Sequence, residues 1–305
     1  MILSTRREFL LAAPAIAAAA VQRPLGALVD THVHLFAPNR FPYHGNGTYN
    51  APAFTLEQYL PFVKAVQLDH TVIVHPEPYQ DDHRYLEYCF SHEPAQGYFK
   101  GTCLFDPIHP DTADRMQALT ARNPGRIVAL RIHKMATPGT PPSREGAIKD
   151  RDMRDPAMKK TWSKARDLEL AIQMHFIPYY APQIGELASQ FGDMPVILDH
   201  LGRAGQGTAD EFKGILNLAK LPQVHMKFSG WGYSSRQQHP FRDAQPTVRR
   251  LYDSFGPDRM IWGGLGRNQK EFERAVEVFE LMFAFAPEAD RAKIRGTNAS
   301  RLFRF

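Results

Sequence analysis

The chain has 305 residues, 43% of them hydrophobic and 23% charged, which suits one large packed α/β domain and excludes a disordered chain. The net charge of +5 is scattered, without the basic stripe of a nucleic-acid binder, and reads first as a solvated basic surface; a small anionic substrate is the weaker inference from the same balance. Cys89 and Cys103 form no C-x-x-C pair and read as two separate buried thiols, one on a helix and one in a strand.

In chain order, the first element is a leader. Ser4-Thr5-Arg6-Arg7-Glu8-Phe9-Leu10 is a twin-arginine pair followed by an Ala-rich apolar run from Leu11 to Val21. The run is too short for a permanent membrane anchor. It predicts export by the twin-arginine translocase to the periplasm or beyond, with cleavage after Ala17–Ala20 or at Ala27. Residues 1–27 are therefore assigned to the signal and 28–305 to the folded domain.

Eight short apolar strands follow, over residues 28–35, 71–75, 99–105, 127–133, 171–176, 195–200, 224–229 and 260–263. Each is followed by a helical pattern, over 56–67, 82–91, 112–122, 155–168, 182–191, 209–218, 244–255 and 270–284, and a last helix spans 291–302. Near-continuous apolar strands fit a parallel sheet covered on both faces. Eight β-then-α units predict a single-domain (β/α)8 TIM barrel. An open doubly wound sheet would need a Gly-rich turn after the first strand, where this chain has His32-Val33-His34. Residues 37–53 and 136–150, rich in Pro and Gly, read as loops at strand C-termini, where barrel active sites are built.

The strand ends carry the chemistry. The first offers His32 and His34 on one face, the second His75 with Glu77 and Tyr79, and the third Asp106. The fourth offers Arg131, His133 and Lys134, the fifth Gln173 and His175, and the sixth Asp199, His200 and Arg203. The seventh offers Lys227 and Ser229. Charged groups and imidazoles are costly to bury unless paired or liganded, so their recurrence at one end of apolar strands marks a site. Strand alternation predicts that Asp199 faces away where its neighbour His200 faces in. Arg131, Lys227 and Arg203 suit a substrate carboxylate, whereas Lys134 suits a loop carboxylate.

In this order and spacing the motifs resemble the amidohydrolase superfamily, and within it the branch of sugar lactonases and pyrone-dicarboxylate lactonase. The elements are Asp30-Thr31-His32-Val33-His34, Val72-Ile73-Val74-His75-Pro76, Phe105-Asp106-Pro107, Gln173-Met174-His175, Leu198-Asp199-His200-Leu201-Gly202 and Lys227-Phe228-Ser229-Gly230. The resemblance implies that His32, His34 and His175 hold one divalent ion, Zn²⁺ or Mn²⁺, or grip a substrate oxygen in a metal-free site. It implies catalytic roles for His200 and His175, and substrate binding by His75, Tyr79, Arg131, Lys227 and Arg203. The expected reaction is water attack on the carbonyl of a lactone or cyclic ester of a small carboxylated substrate.

The chain departs from the pattern at the eighth strand. The family element Trp-Gly-Ser-Asp-Trp-Pro carries the general base, and here Trp262-Gly263-Gly264-Leu265-Gly266 puts Leu265 in place of the Asp. Glu77 and Asp106 are the expected replacement bases. The missing acid also admits a catalytically degenerate barrel that binds an acidic metabolite, and the shared barrel and histidines admit a decarboxylase relative.

Overall fold

The computed structural model describes residues 23–305; the twin-arginine motif and the apolar run of the leader lie outside the described residues. Eight parallel strands hydrogen-bond in sequence order: β1 (Val29–Val33), β2 (His70–Val74), β3 (Phe99–Cys103), β4 (Ile127–Lys134), β5 (Ala171–Phe176), β6 (Val196–Leu198), β7 (Val224–Phe228) and β8 (Met260–Trp262). The main helices between them are α1 (Leu56–Val66), α2 (Arg84–Ser91), α3 (Thr112–Arg122), α4 (Pro156–Asp167), α5 (Ala181–Ala188), α6 (Ala209–Leu218), α7 (Gln245–Phe255) and α8 (Gln269–Met282). Short helices α9 (Glu288–Ala292) and α10 (Asn298–Phe303) close the chain. This is a (β/α)8 TIM barrel. Among the described residues no helix is long and apolar enough to cross a membrane.

Local sequence explains the helix starts. Thr55 with Gln58 and Thr208 with Glu211 form reciprocal caps on α1 and α6, and Asp155 caps α4 just before Pro156. The large apolar cluster lies between strands and helices and includes Phe99, Trp162, Phe176, Phe228 and Phe279. A second cluster fills the barrel bore at its N-terminal end. Val29, Val72, Ala129, Ala171, Ile197 and Ile261 meet there, and Ala299 and Phe303 of α10 plug the opening. Polar strand residues therefore sit at the opposite, C-terminal mouth, above an apolar floor.

The seam between β8 and β1 is closed by side chains. Thr31 Oγ1 donates to the Trp262 carbonyl at 2.7 Å. The buried Asp30 carboxylate accepts from the backbone N–H groups of His32, Gly264 and Leu265 at 2.9, 2.8 and 3.1 Å. A Cβ on Gly263 would lie 2.8 Å from His32 Cβ, so only glycine permits this approach.

Cys89, on α2, and Cys103, in β3, are separate buried thiols. The two long loops are tied down. In residues 37–53, Phe36 bridges Phe54, His44 N–H donates to the Pro78 carbonyl at 2.9 Å, and Thr48 N–H donates to Glu77. In residues 136–150, the organiser is Arg151: its Nη1 reaches Ser143 Oγ and the carbonyls of Glu145, Ala147 and Lys149.

Candidate active site

His32 and His34 leave the end of β1, where a register irregularity between Asp30 and Val33 re-aims the strand. Their Nε2 atoms lie 3.2 Å apart. His34 Nδ1 sits 2.7 Å from the Val74 carbonyl, so Nδ1 carries the proton and Nε2 presents its lone pair. His200 follows β6 and packs at 4.6 Å, between ring centroids, from His32, and 5.1 Å from His175 of β5. His133 of β4 is 5.2 Å from His175. The four histidines His32, His34, His175 and His200 thus share the C-terminal mouth.

Beneath them lies Asp199, fully buried. Its Oδ2 accepts from Arg131 Nε and Gln173 Nε2, both at 3.1 Å, and pairs with Arg131 Nη2 at 3.0 Å. Its Oδ1 faces Lys227 Nζ at 3.2 Å and His32 Nδ1 at 3.6 Å. Lys227 also donates to the Thr31 carbonyl at 3.0 Å. Burial penalises the Asp199 carboxylate, but Lys227 and Arg131 outweigh it and hold the group well below its ordinary range. Burial pushes Lys227 down from its ordinary value, with Asp199 offsetting part of the effect. One carboxylate therefore serves two buried cations.

Asp199 corrects the expectation that it points away. The strand stops at Leu198, so alternation carries Ile197 and Asp199 inward. His200 enters by a different route. His200, Leu201, Gly202 and Arg203 all take left-handed backbone, with φ of 57°, 57°, 60° and 52°. Three of these are not glycine, and a left-handed residue costs about 1–2 kcal/mol, so the turn stores about 3–6 kcal/mol. Burial of Leu201, the His200 Nδ1–Ser229 Oγ hydrogen bond at 2.9 Å and the Arg203 contacts hold it. Gly230 makes room for the ring, since a Cβ there would lie 2.6 Å from His200 Nδ1.

Burial keeps His32, His175, His200 and His133 well below the usual imidazole range, and drives His34 down to about 3 with Arg131 adding to the effect. The mouth is a set of neutral imidazoles around fixed cations.

Several expected residues do other work. Glu77 accepts from Thr48 N–H and from Gln80 Nε2 and anchors the first loop. Asp106 is ion-paired with Arg151 at 2.8 Å, which sequence reading overlooked. Neither carboxylate is a free base. His75 bonds the Gln80 carbonyl at 2.9 Å and packs 4.4 Å from His83, on the helix side of β2. Tyr79 Oη accepts from Ala37 N–H at 2.7 Å. Both are buried and brace loops. Lys227 is fully buried against Asp199, and Arg131 is clamped by the same carboxylate. Lys134 donates to the Asp150 and Arg151 carbonyls instead of pairing with a carboxylate. Tyr233, which packs 5.4 Å from His200, was not foreseen; its aromatic ring after the Lys-x-Ser-Gly element was the available signal. Leu265 is fully buried in the large apolar cluster.

The donor set has one feature of a metal centre. A tetrahedral ion bound at about 2.0–2.1 Å sets two imidazole nitrogens about 3.3–3.4 Å apart, close to the His32–His34 spacing. His32, Asp199 and His200 also offer ligand atoms, within 4.8 Å of one another. The rest does not fit. His175 Nε2 sits 3.1 Å from Arg203 Nη1, a permanent donor, so its lone pair is taken. Asp199 Oδ1 already faces an ammonium, and the eighth strand supplies no carboxylate.

An eight-stranded parallel barrel with imidazoles and cations gathered at its C-terminal mouth defines a barrel hydrolase. The chain belongs to the amidohydrolase family, whose sequence profile matches residues 29–305. It is 26% identical over 300 residues to 4-sulfomuconolactone hydrolase of Hydrogenophaga intermedia, covering 90% of this chain and 88% of that one. Its fold is shared with a probable 2-pyrone-4,6-dicarboxylic acid hydrolase of Acinetobacter baumannii with citric acid bound, at 20% identity and a TM-score of 0.72, over 91% and 99% of the two chains. A Burkholderia multivorans amidohydrolase with bound zinc is also similar, at 15% identity and a TM-score of 0.69, over 92% and 100%. Decarboxylases stand among the structural neighbours as well, one with bound manganese.

Proposed function

We propose that this amidohydrolase-family hydrolase opens a lactone or cyclic ester of a small carboxylated substrate, and does so without a resident divalent ion. The observation that carries the reading is the convergence of four neutral imidazoles with Arg203 over the Asp199–Arg131–Lys227 cluster. The lactone hydrolase relative supports the substrate class.

The roles follow from hydrogen bonding. In the tautomer this mechanism uses, Ser229 Oγ accepts the His200 Nδ1 proton, so Nε2 takes a proton from attacking water and returns it to the ring oxygen as the lactone C–O bond breaks. The depressed pKa makes His200 a weak base, but one in the correct protonation state across neutral pH. Arg203 faces the developing oxyanion. Asp199 fixes Arg131 and Lys227 beneath the imidazoles. The leader supports a place for this reaction in the periplasm, after twin-arginine export.

The test is hydrolysis of a panel of carboxylated and neutral lactones by the mature protein, with chelator and with added Zn²⁺ or Mn²⁺. Turnover in chelator that falls by about 10²–10⁴ in His200→Asn supports the reading. No turnover across the panel under any condition overturns it. The degenerate barrel is the second reading, favoured by Leu265; saturable binding of a carboxylated lactone without turnover would establish it.

A further inference from the structure

We propose that the guanidinium of Arg203 is the built-in cation of the histidine cluster. It occupies the lone pair that a divalent ion would need and excludes the ion. The inference rests on the site of the metal-free reading above, and not on its substrate.

Four observations place this group. Arg203 Nη1 lies 3.1 Å from His175 Nε2. A guanidinium has no acceptor atom and keeps its charge, so the contact can only be donation from Arg203 to the imidazole. The side chain is fixed from two other directions: its Nε donates to Gln206 Oε1 at 2.7 Å, and its guanidinium carbon stacks 4.0 Å from the Tyr233 ring centroid. The strained left-handed turn delivers Arg203 and His200 to the mouth together. Finally, Arg203 joins Arg131 and Lys227, and these three cations meet only Asp199 and the Asp30 carboxylate that three backbone N–H groups already engage, so cations outnumber acids before any ion arrives. A carboxylate on the eighth strand would have redressed that balance, and Leu265 stands there instead. Replacement of the acid and docking of the arginine are thus two sides of one arrangement. It also explains why an anionic substrate suits the site: its charge meets Arg203 where another amidohydrolase would present a metal.

The test measures Zn²⁺ and Mn²⁺ binding to the mature chain by calorimetry and by metal content after dialysis. Wild type is expected to retain no stoichiometric ion, and His175→Ala to leave its weak affinity unchanged. Arg203→Met frees His175 Nε2 and is expected to tighten binding about 10–100-fold. Arg203→Met/His175→Ala should lose that gain, while Arg203→Lys, which keeps a charge but not the planar fork, should fall between. A tightly held ion in wild type overturns both this inference and the metal-free reading. A wild type without metal and no gain in Arg203→Met, or a gain that survives His175→Ala, overturns the role of Arg203 alone. Should Arg203→Met fail to fold, the pair of wild type and His175→Ala still decides: a tenfold loss in His175→Ala would show that His175 is a free ligand beside Arg203.

Discussion

Replacing Asp199 by Asn tests the buried charge cluster directly. The substitution keeps the shape and removes the one negative charge facing Lys227 at 3.2 Å and Arg131 at 3.0 Å. At an effective dielectric of about 20, each of these attractions is about 5 kcal/mol before desolvation is counted. Both cations are almost fully buried, so neither can turn to water when the carboxylate goes. Breaking a buried pair from one side costs about 3–5 kcal/mol. Burial already lowers the Lys227 pKa, so the ammonium can relieve part of the strain by shedding its proton, which favours the lower end of that range. Urea unfolding at pH 7, with the midpoint and slope fitted together, gives the loss. The double variant Asp199→Asn/Lys227→Met should recover at least a third of it, because the orphaned charge is then absent. A loss below about 1 kcal/mol, or a double variant no better than the single, would refute the view that Asp199 is the counter-charge of this mouth.

Other expectations follow from the same structure. Burial lowers His75 to about 4, so the unfolded chain takes up its proton first. Its contribution to stability is therefore complete above pH 6.5, falls by about 2 kcal/mol by pH 5 and levels off near pH 4. Unfolding midpoints at pH 7 and 5, compared with those of His75→Gln, should show this slope flatten in the variant. Leu265→Asp should not restore a catalytic acid, because the side chain lies in the apolar cluster; it should destabilise the fold by more than about 2 kcal/mol without raising turnover. A rise in hydrolysis at unchanged stability would contradict that placement. Arg151→Met removes the partner of Asp106 and a set of carbonyl contacts, and should cost about 2–4 kcal/mol and open residues 136–150 to limited proteolysis. Ser229→Ala frees His200 Nδ1 and should lower kcat more than it raises KM.

Much of this protein was legible in the chain. Hydrophobic runs separated by helical spacing are local patterns, so the eight β–α units could be counted directly, and with no Gly-rich turn after the first strand they pointed to a closed barrel. Period-two alternation placed His32 and His34 together, and Leu265 announced the missing acid. Strand limits were less legible, since β1, β3 and β6 end earlier than their apolar runs. Hydrogen-bond partners across the mouth, not composition, decide where a strand stops.

What the sequence could not reveal was which polar groups satisfy one another. Glu77 and Asp106 stood at strand ends as free carboxylates, yet only folding brings Thr48 and Arg151 onto them. Asp199 was read as facing away because alternation was counted from His200, which lies past the end of β6 where the backbone has turned left-handed, whereas Asp199 keeps the inward parity of Ile197. The apolar floor, the eight strands and the histidines at their ends were set by residue pattern alone. The pairing of Arg203 with His175, and of Asp199 with Arg131 and Lys227, was set by tertiary structure. Electrostatic partners act across distances in space that bear no relation to separation along the chain.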